Sequence, residues 1–160
     1  MAAGVTYEAL GTASPTSGTS YTFSGWTGTY TDYVVAGAVL MTNNTTIRMR
    51  LNGDTASNYY YQIVYNNVTA TYTSGSSLEL MDSYASVRNS FVANIMNADG
   101  TTLNNKCVLT WGGMLNGSMM GGGWTATSPS VITSITILTT NGSQFASQGS
   151  KLTLYGIKRA

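Results

Sequence analysis

Thr46-Ile47-Arg48-Met49-Arg50-Leu51, then Asn52-Gly53-Asp54-Thr55-Ala56-Ser57-Asn58, then Tyr59-Tyr60-Tyr61-Gln62-Ile63-Val64-Tyr65 is the stretch that sets the fold class. In the first segment Ile47, Met49 and Leu51 fall on one face and both arginines on the other, the period-two signature of a half-buried strand. Met49 is therefore expected to carry burial, and removal of the Arg48 side chain is expected to cost little. In the third segment Tyr59, Tyr61, Ile63 and Tyr65 share a face, while Tyr60, Gln62 and Val64 form a partly polar opposite one. The polar stretch between them is rich in residues that tolerate positive φ or bond their own backbone. Strand, turn, strand is the direct reading, with the two strands joined as a hairpin.

The same period recurs along the chain. Further strand candidates cover residues 5–10, 20–23, 33–41, 68–73, 90–96, 106–111, 131–139 and 152–157. Turn signals such as Asn43-Asn44, Ser74-Gly75-Ser76, Asp99-Gly100, Asn116-Gly117 and Asn141-Gly142 separate them. The stretch 11–20, containing Pro15, reads as a surface loop, and 77–84 as one short helix-like turn. About ten short strands at roughly even spacing, with no long helical stripe, predict an all-β antiparallel β-sandwich, jelly-roll-like, as a single domain over residues 1–160. A chain of 160 residues is long enough to bury roughly 70% of its unfolded surface.

Composition narrows the function classes. Only 8% of residues are charged and the formal net charge is +1, which gives no electrostatic footprint for nucleic acid or an anionic membrane. Hydrophobic residues reach 42%, so the chain is expected to fold rather than remain disordered. Without histidine, the commonest general base, the Ser-His-Asp and Cys-His arrangements and nearly all ordinary zinc sites are removed. The single Cys107, between Lys106 and Val108 at the start of an apolar run, reads as a small buried hydrophobe. No segment approaches the ~20 apolar residues that span a bilayer. The N-terminal residues lack the basic start and apolar core of a secretory signal. No cofactor or metal, and no enzymatic activity, is expected.

The acidic residues are Glu8, Asp32, Asp54, Glu79, Asp82 and Asp99. Glycoside hydrolysis needs two carboxyls some 5 to 9.5 Å apart, roughly, and only Glu79 and Asp82 are close in sequence, in a segment read as packed on the sheet. Asp54 among Asn52, Thr55, Ser57 and Asn58 offers oxygens to calcium but without repeated carboxylates; a hydrogen-bonded turn is the simpler reading. Tyr59, Tyr60 and Tyr61 form either a stacking platform or a sheet covering. The segment 112–124 combines glycine freedom with Met114, Leu115, Met119, Met120 and Trp124. It reads either as a long hairpin folding back on its own core or as an adaptable contact loop for another chain. Methionine suits interfaces that repack, and this loop is the candidate inter-chain contact.

Two stretches carry a family resemblance. Leu51-Asn52-Gly53-Asp54-Thr55-Ala56-Ser57-Asn58-Tyr59 is similar to an LNGD-x-x-SNY signature. The tail, with Ile132-Thr133-Ser134-Ile135 and then Gly149-Ser150-Lys151-Leu152-Thr153-Leu154-Tyr155-Gly156-Ile157, reads as two strands about a turn. It resembles the ITSI and GS-x-x-x-LYGI closing segment of small virion structural proteins of tailed bacteriophages. Trp124 also matches that pattern, which assigns it a structural job. The resemblance implies a virion protein assembled in the host cytoplasm: a capsid decoration (cement) subunit, as a homotrimer bound to the major capsid protein or other virion proteins. The alternative it implies is a tail-fibre or receptor-binding tip that recognises host surface polysaccharide, which a tyrosine-lined cleft near residues 52–58 would support.

Overall fold

Twelve strands follow one another in the computed structural model, which describes residues 6–26, 30–65, 68–96, 98, 105–112, 118–125 and 130–158. The first six are β1 (Thr6–Ala13), β2 (Ser20–Ser24), β3 (Asp32–Leu40), β4 (Thr45–Leu51), β5 (Tyr59–Tyr65) and β6 (Val68–Gly75). The remainder are β7 (Leu78–Ser83), β8 (Arg88–Met96), β9 (Asn105–Gly112), β10 (Ser118–Thr125), β11 (Ser134–Thr139) and β12 (Lys151–Lys158). They form two antiparallel sheets. One has eight strands in the order β1-β12-β3-β8-β9-β10-β5-β6, the other four in the order β2-β11-β4-β7. The described residues contain no helix.

The sheets pack face to face, because each strand contributes one apolar face to a shared core. From the small sheet come Phe23, Ile47, Met49, Leu51, Leu78, Leu80, Ile135 and Ile137; from the large one come Tyr33, Val35, Phe91, Ile95, Val108, Tyr61 and Leu154. Ile47, Met49 and Leu51 are fully buried, as their spacing requires. Gly156 sits beneath the Tyr30 ring, where an added Cβ would collide with ring carbons. The glycine of Leu154-Tyr155-Gly156-Ile157 thus lets an aromatic lie flat on β12.

Pairing departs from the sequence expectation in two places. β4 pairs with β11 and β7, whereas β5 pairs with β10 and β6. The strands flanking 52–58 are therefore not a hairpin; that connection crosses from the small sheet to the large one. Asn52 (φ 52°) and Gly53 (φ 66°) take left-handed conformations that turn the chain out of β4. The tail behaves alike: β11 lies in the small sheet and β12 in the large one.

The helix-like stretch 77–84 is strand β7. A bulge shifts its register against β4 between Ile47 and Arg48, where Met81 and Glu79 are successive partners. Leu80 and Met81 are consequently both buried, and this breaks the alternation that marks a strand. The arginine face of β4 is not simply wet. Arg48 Nη2 lies 3.5 Å from Glu79 Oε2, with the two side chains 33% and 10% exposed. Arg50 Nε donates to the Ser76 carbonyl at 2.9 Å.

Candidate functional site

Strand β9 sets the character of the outer face of the large sheet. Its sequence Lys106-Cys107-Val108-Leu109-Thr110-Trp111 places Lys106, Val108 and Thr110 inward, buried, and Cys107 and Trp111 outward. The expectation that Cys107 is a buried hydrophobe is therefore corrected: its thiol is exposed. Cys107 shares its face with Leu109 and Trp111, while Lys106 takes an inward position beside Val108 and Thr110.

Outward residues line up across neighbouring strands, because antiparallel partners share a face. Val92 opposes Trp111, Trp111 opposes Met119, and Met119 opposes Val64. Val92, Trp111 and Met119 are 40%, 48% and 50% exposed, among the most exposed large apolar side chains described. The next row runs Asn94, Leu109, Gly121, Gln62, and the next Met96, Cys107, Gly123, Tyr60. Over these four strands the outward positions of the three rows carry no acidic or basic side chain. Gly121 and Gly123 leave β10 bare, and beside them a depression of about 340 Å³ is bordered by Tyr60, Cys107, Trp124 and Thr125.

The segment 112–124 is thus only partly a loop. Ser118–Thr125 is a strand paired on both sides. Met120 and Trp124 point into the core, Met119 points out, and Met114 and Leu115 lie outside the described residues. Met119 is the one described member of the proposed contact set that is presented to solvent, and its cross-strand partners are Trp111 and Val64.

The stretch 52–58 is an internal fastening. Asp54 Oδ2 accepts from Trp124 Nε1 at 2.6 Å and from Asn58 Nδ2 at 2.9 Å, while Oδ1 accepts from the Ala56 N–H at 2.8 Å. Desolvation pushes the Asp54 carboxyl upward, but these three donors outweigh it and hold the group below the usual carboxylate range. Asn52 accepts from the Thr133 and Ser134 N–H groups at 2.7 and 3.2 Å and donates to the Val131 carbonyl at 2.8 Å. The Tyr59 hydroxyl accepts from Leu51 N–H at 3.0 Å, and its ring stacks on Trp124 at 6.4 Å. Asn52, Asp54, Asn58 and Tyr59 of the LNGD-x-x-SNY stretch thus join β4, β5, β10 and the approach to β11. Of the three tyrosines, Tyr59 and Tyr61 are buried and Tyr60 alone is exposed.

Glu79 and Asp82 differ in burial and in partners. Glu79 is buried, accepting from the Tyr61 hydroxyl at 3.4 Å, whereas Asp82 is exposed and accepts from Thr46 Oγ1 at 3.0 Å. Burial pushes the Glu79 carboxyl above its usual range, with Arg48 pulling the other way and the Asp82 charge adding to the rise. Among the described residues no group of three His, Cys, Asp or Glu side chains could hold a metal ion. No protein family matches the chain, and no curated protein or solved structure shows significant similarity to it.

Proposed function

We propose that the chain is a non-enzymatic virion structural protein of a tailed bacteriophage, a decoration subunit that docks on the capsid through the outer face of its large sheet. The observation that carries this reading is three uncharged rows of outward positions across β8, β9, β10 and β5, with Val92, Trp111 and Met119 in one exposed row. Exposed apolar side chains gathered into one row, rather than scattered singly, mark an interaction surface, and tryptophan and methionine are enriched where proteins meet. A decoration subunit needs contact area and shape rather than acids, bases or metals. It stabilises a shell by free energy available only when bound to it. The phage setting is supported by the two resemblances, LNGD-x-x-SNY and GS-x-x-x-LYGI, and with it come the homotrimer and the major capsid protein as partner.

The test is the location and copy number of the protein in purified virions. Many copies distributed over the head, shed by Trp111→Asp protein that remains folded, is the expected result. Particles lacking the protein should still adsorb to cells but lose resistance to heat or osmotic shock. A few copies at the tail, with adsorption abolished on removal, would replace this reading with the receptor-binding one.

A further inference from the structure

We propose that Asn141 is a site of spontaneous covalent modification, where loss of the side-chain amide gives aspartate or isoaspartate and loosens one end of the small sheet. Asn141 and Gly142 follow β11 in an exposed turn, with Gly142 at a φ of 74°. The reaction needs no enzyme and no co-reactant but water. The Gly142 nitrogen attacks Asn141 Cγ, the Cγ–Nδ2 bond breaks, and ammonia leaves with the proton that the Gly142 nitrogen gave up. The resulting succinimide adds one water at either carbonyl. One product is aspartate; the other is isoaspartate, with the main chain rerouted through Cγ.

Three features of the turn favour the attack. A glycine leaves its own nitrogen unscreened by a side chain. Among the described residues no hydrogen bond engages the Gly142 N–H, so solvent can take its proton. The Ser143 N–H donates to Asn141 Oδ1 at 3.3 Å, an Asx turn that folds the side-chain amide around the intervening Gly142 nitrogen. That donor also faces the oxygen on which negative charge develops when Cγ becomes tetrahedral.

Asn52-Gly53 supplies an internal comparison. Asn52 Oδ1 accepts from the Thr133 and Ser134 N–H groups and Nδ2 donates to the Val131 carbonyl. All three bonds must break before that amide can swing to its own glycine, whereas the Asx bond of Asn141 spans the attacking nitrogen and need not break. The third Asn-Gly pair, at 116–117, lies outside the described residues.

Conversion changes what the turn can hold. Asn141 Nδ2 donates to the Asn44 carbonyl at 2.6 Å, tying the turn after β11 to the turn before β4. A carboxylate has no proton to give there, and the Asp82 charge borders the same depression. The formal net charge of +1 falls to zero. Neighbouring ties remain, from Asn43 N–H to Ser143 Oγ at 3.1 Å and from Thr42 N–H to the Gln144 carbonyl at 3.0 Å, so the end of the sheet loosens without coming apart. None of this depends on the virion role: the modified turn belongs to the small sheet, and the apolar row lies on the large one.

The experiment incubates the full chain in mildly alkaline buffer, folded and in guanidinium chloride. Peptide mass spectrometry follows conversion, with fragment spectra separating positions 52, 116 and 141. In the folded protein Asn141 is expected to convert at close to its unfolded rate. Asn52 should convert at least about tenfold more slowly than when unfolded, since its three bonds must open first. Asn141→Gln should abolish conversion at that position, because the longer side chain closes a larger ring far less readily. Asn141→Asp, a stand-in for the aspartate product, should raise the unfolding equilibrium constant about tenfold in denaturant titration. The proposal is overturned if folding slows conversion at 141 as much as at 52, or if the Asn141→Asp variant is as stable as the parent.

Discussion

Replacing Arg48 by alanine tests whether β4 has a wet face or a bridged one. The guanidinium is the nearest positive charge to Glu79, whose carboxylate is otherwise met by the Tyr61 hydroxyl and opposed by the Asp82 charge. An exposed ion pair is worth about 0 to 1 kcal/mol, while removing one partner of a fully buried pair costs about 3 to 5 kcal/mol. With Arg48 a third exposed and Glu79 nearly buried, Arg48→Ala is expected to cost about 1 to 3 kcal/mol near pH 7. The cost must depend on pH. Glu79 is raised above its unfolded value of 4.5, so its contribution is fully present below that pH and is lost as pH rises through the folded value. Without Arg48 the folded value rises further, and the loss extends to higher pH. Urea unfolding near pH 4 and near pH 7 measures this, with a midpoint shift of about 1 M at the higher pH and little at the lower. In a Glu79→Gln background the Arg48→Ala cost should fall below about 1 kcal/mol at both. An equal cost at the two pH values, unrelieved by Glu79→Gln, would refute the bridge.

Three further outcomes are expected. Met49→Ala, at a fully buried position, should cost about 2 to 5 kcal/mol in denaturant unfolding, and a cost near zero would mean the shared core is misassigned. Asp54→Ala strips three donors of their acceptor and should cost about 1 to 3 kcal/mol. Because the Asp54 carboxyl is held below 3.8 in the fold, its contribution is present above that pH and fades below it. Comparing the acid limbs of parent and Asp54→Asn checks the sign. Cys107 should react stoichiometrically with a thiol reagent in native buffer, which a buried thiol would resist.

How far the fold was legible depends on what each pattern encodes. Alternation told which face of β4 and β5 is buried, but alternation is silent about which sheet a strand joins. The crossing at 52–58 was therefore invisible, although its cause, the positive φ of Asn52 and Gly53, lies in residues already marked as turn-forming. β7 was misread because its bulge buries Leu80 and Met81 together. Cys107 was misplaced because alternation groups it with the apolar Leu109 and Trp111, opposite Lys106 and Thr110, and the sheet turns that more apolar set outward. The apolar row was out of reach, since it needs the register of β8, β9, β10 and β5.

The position of β12 between β1 and β3 has a kinetic consequence. Thr6 is aligned with Lys158, and Val35 with Leu154, so the first and third strands acquire their shared neighbour only when the twelfth has emerged from the ribosome. β11 plays the same part for β2 and β4. Until then a nascent chain holds apolar strands such as Tyr33-Val34-Val35 with one unpaired edge, a template for pairing with another chain. Closure entropy for such distant partners makes folding slow. Yield in expression should therefore respond more to temperature and chaperone supply than to the stability of the finished sandwich.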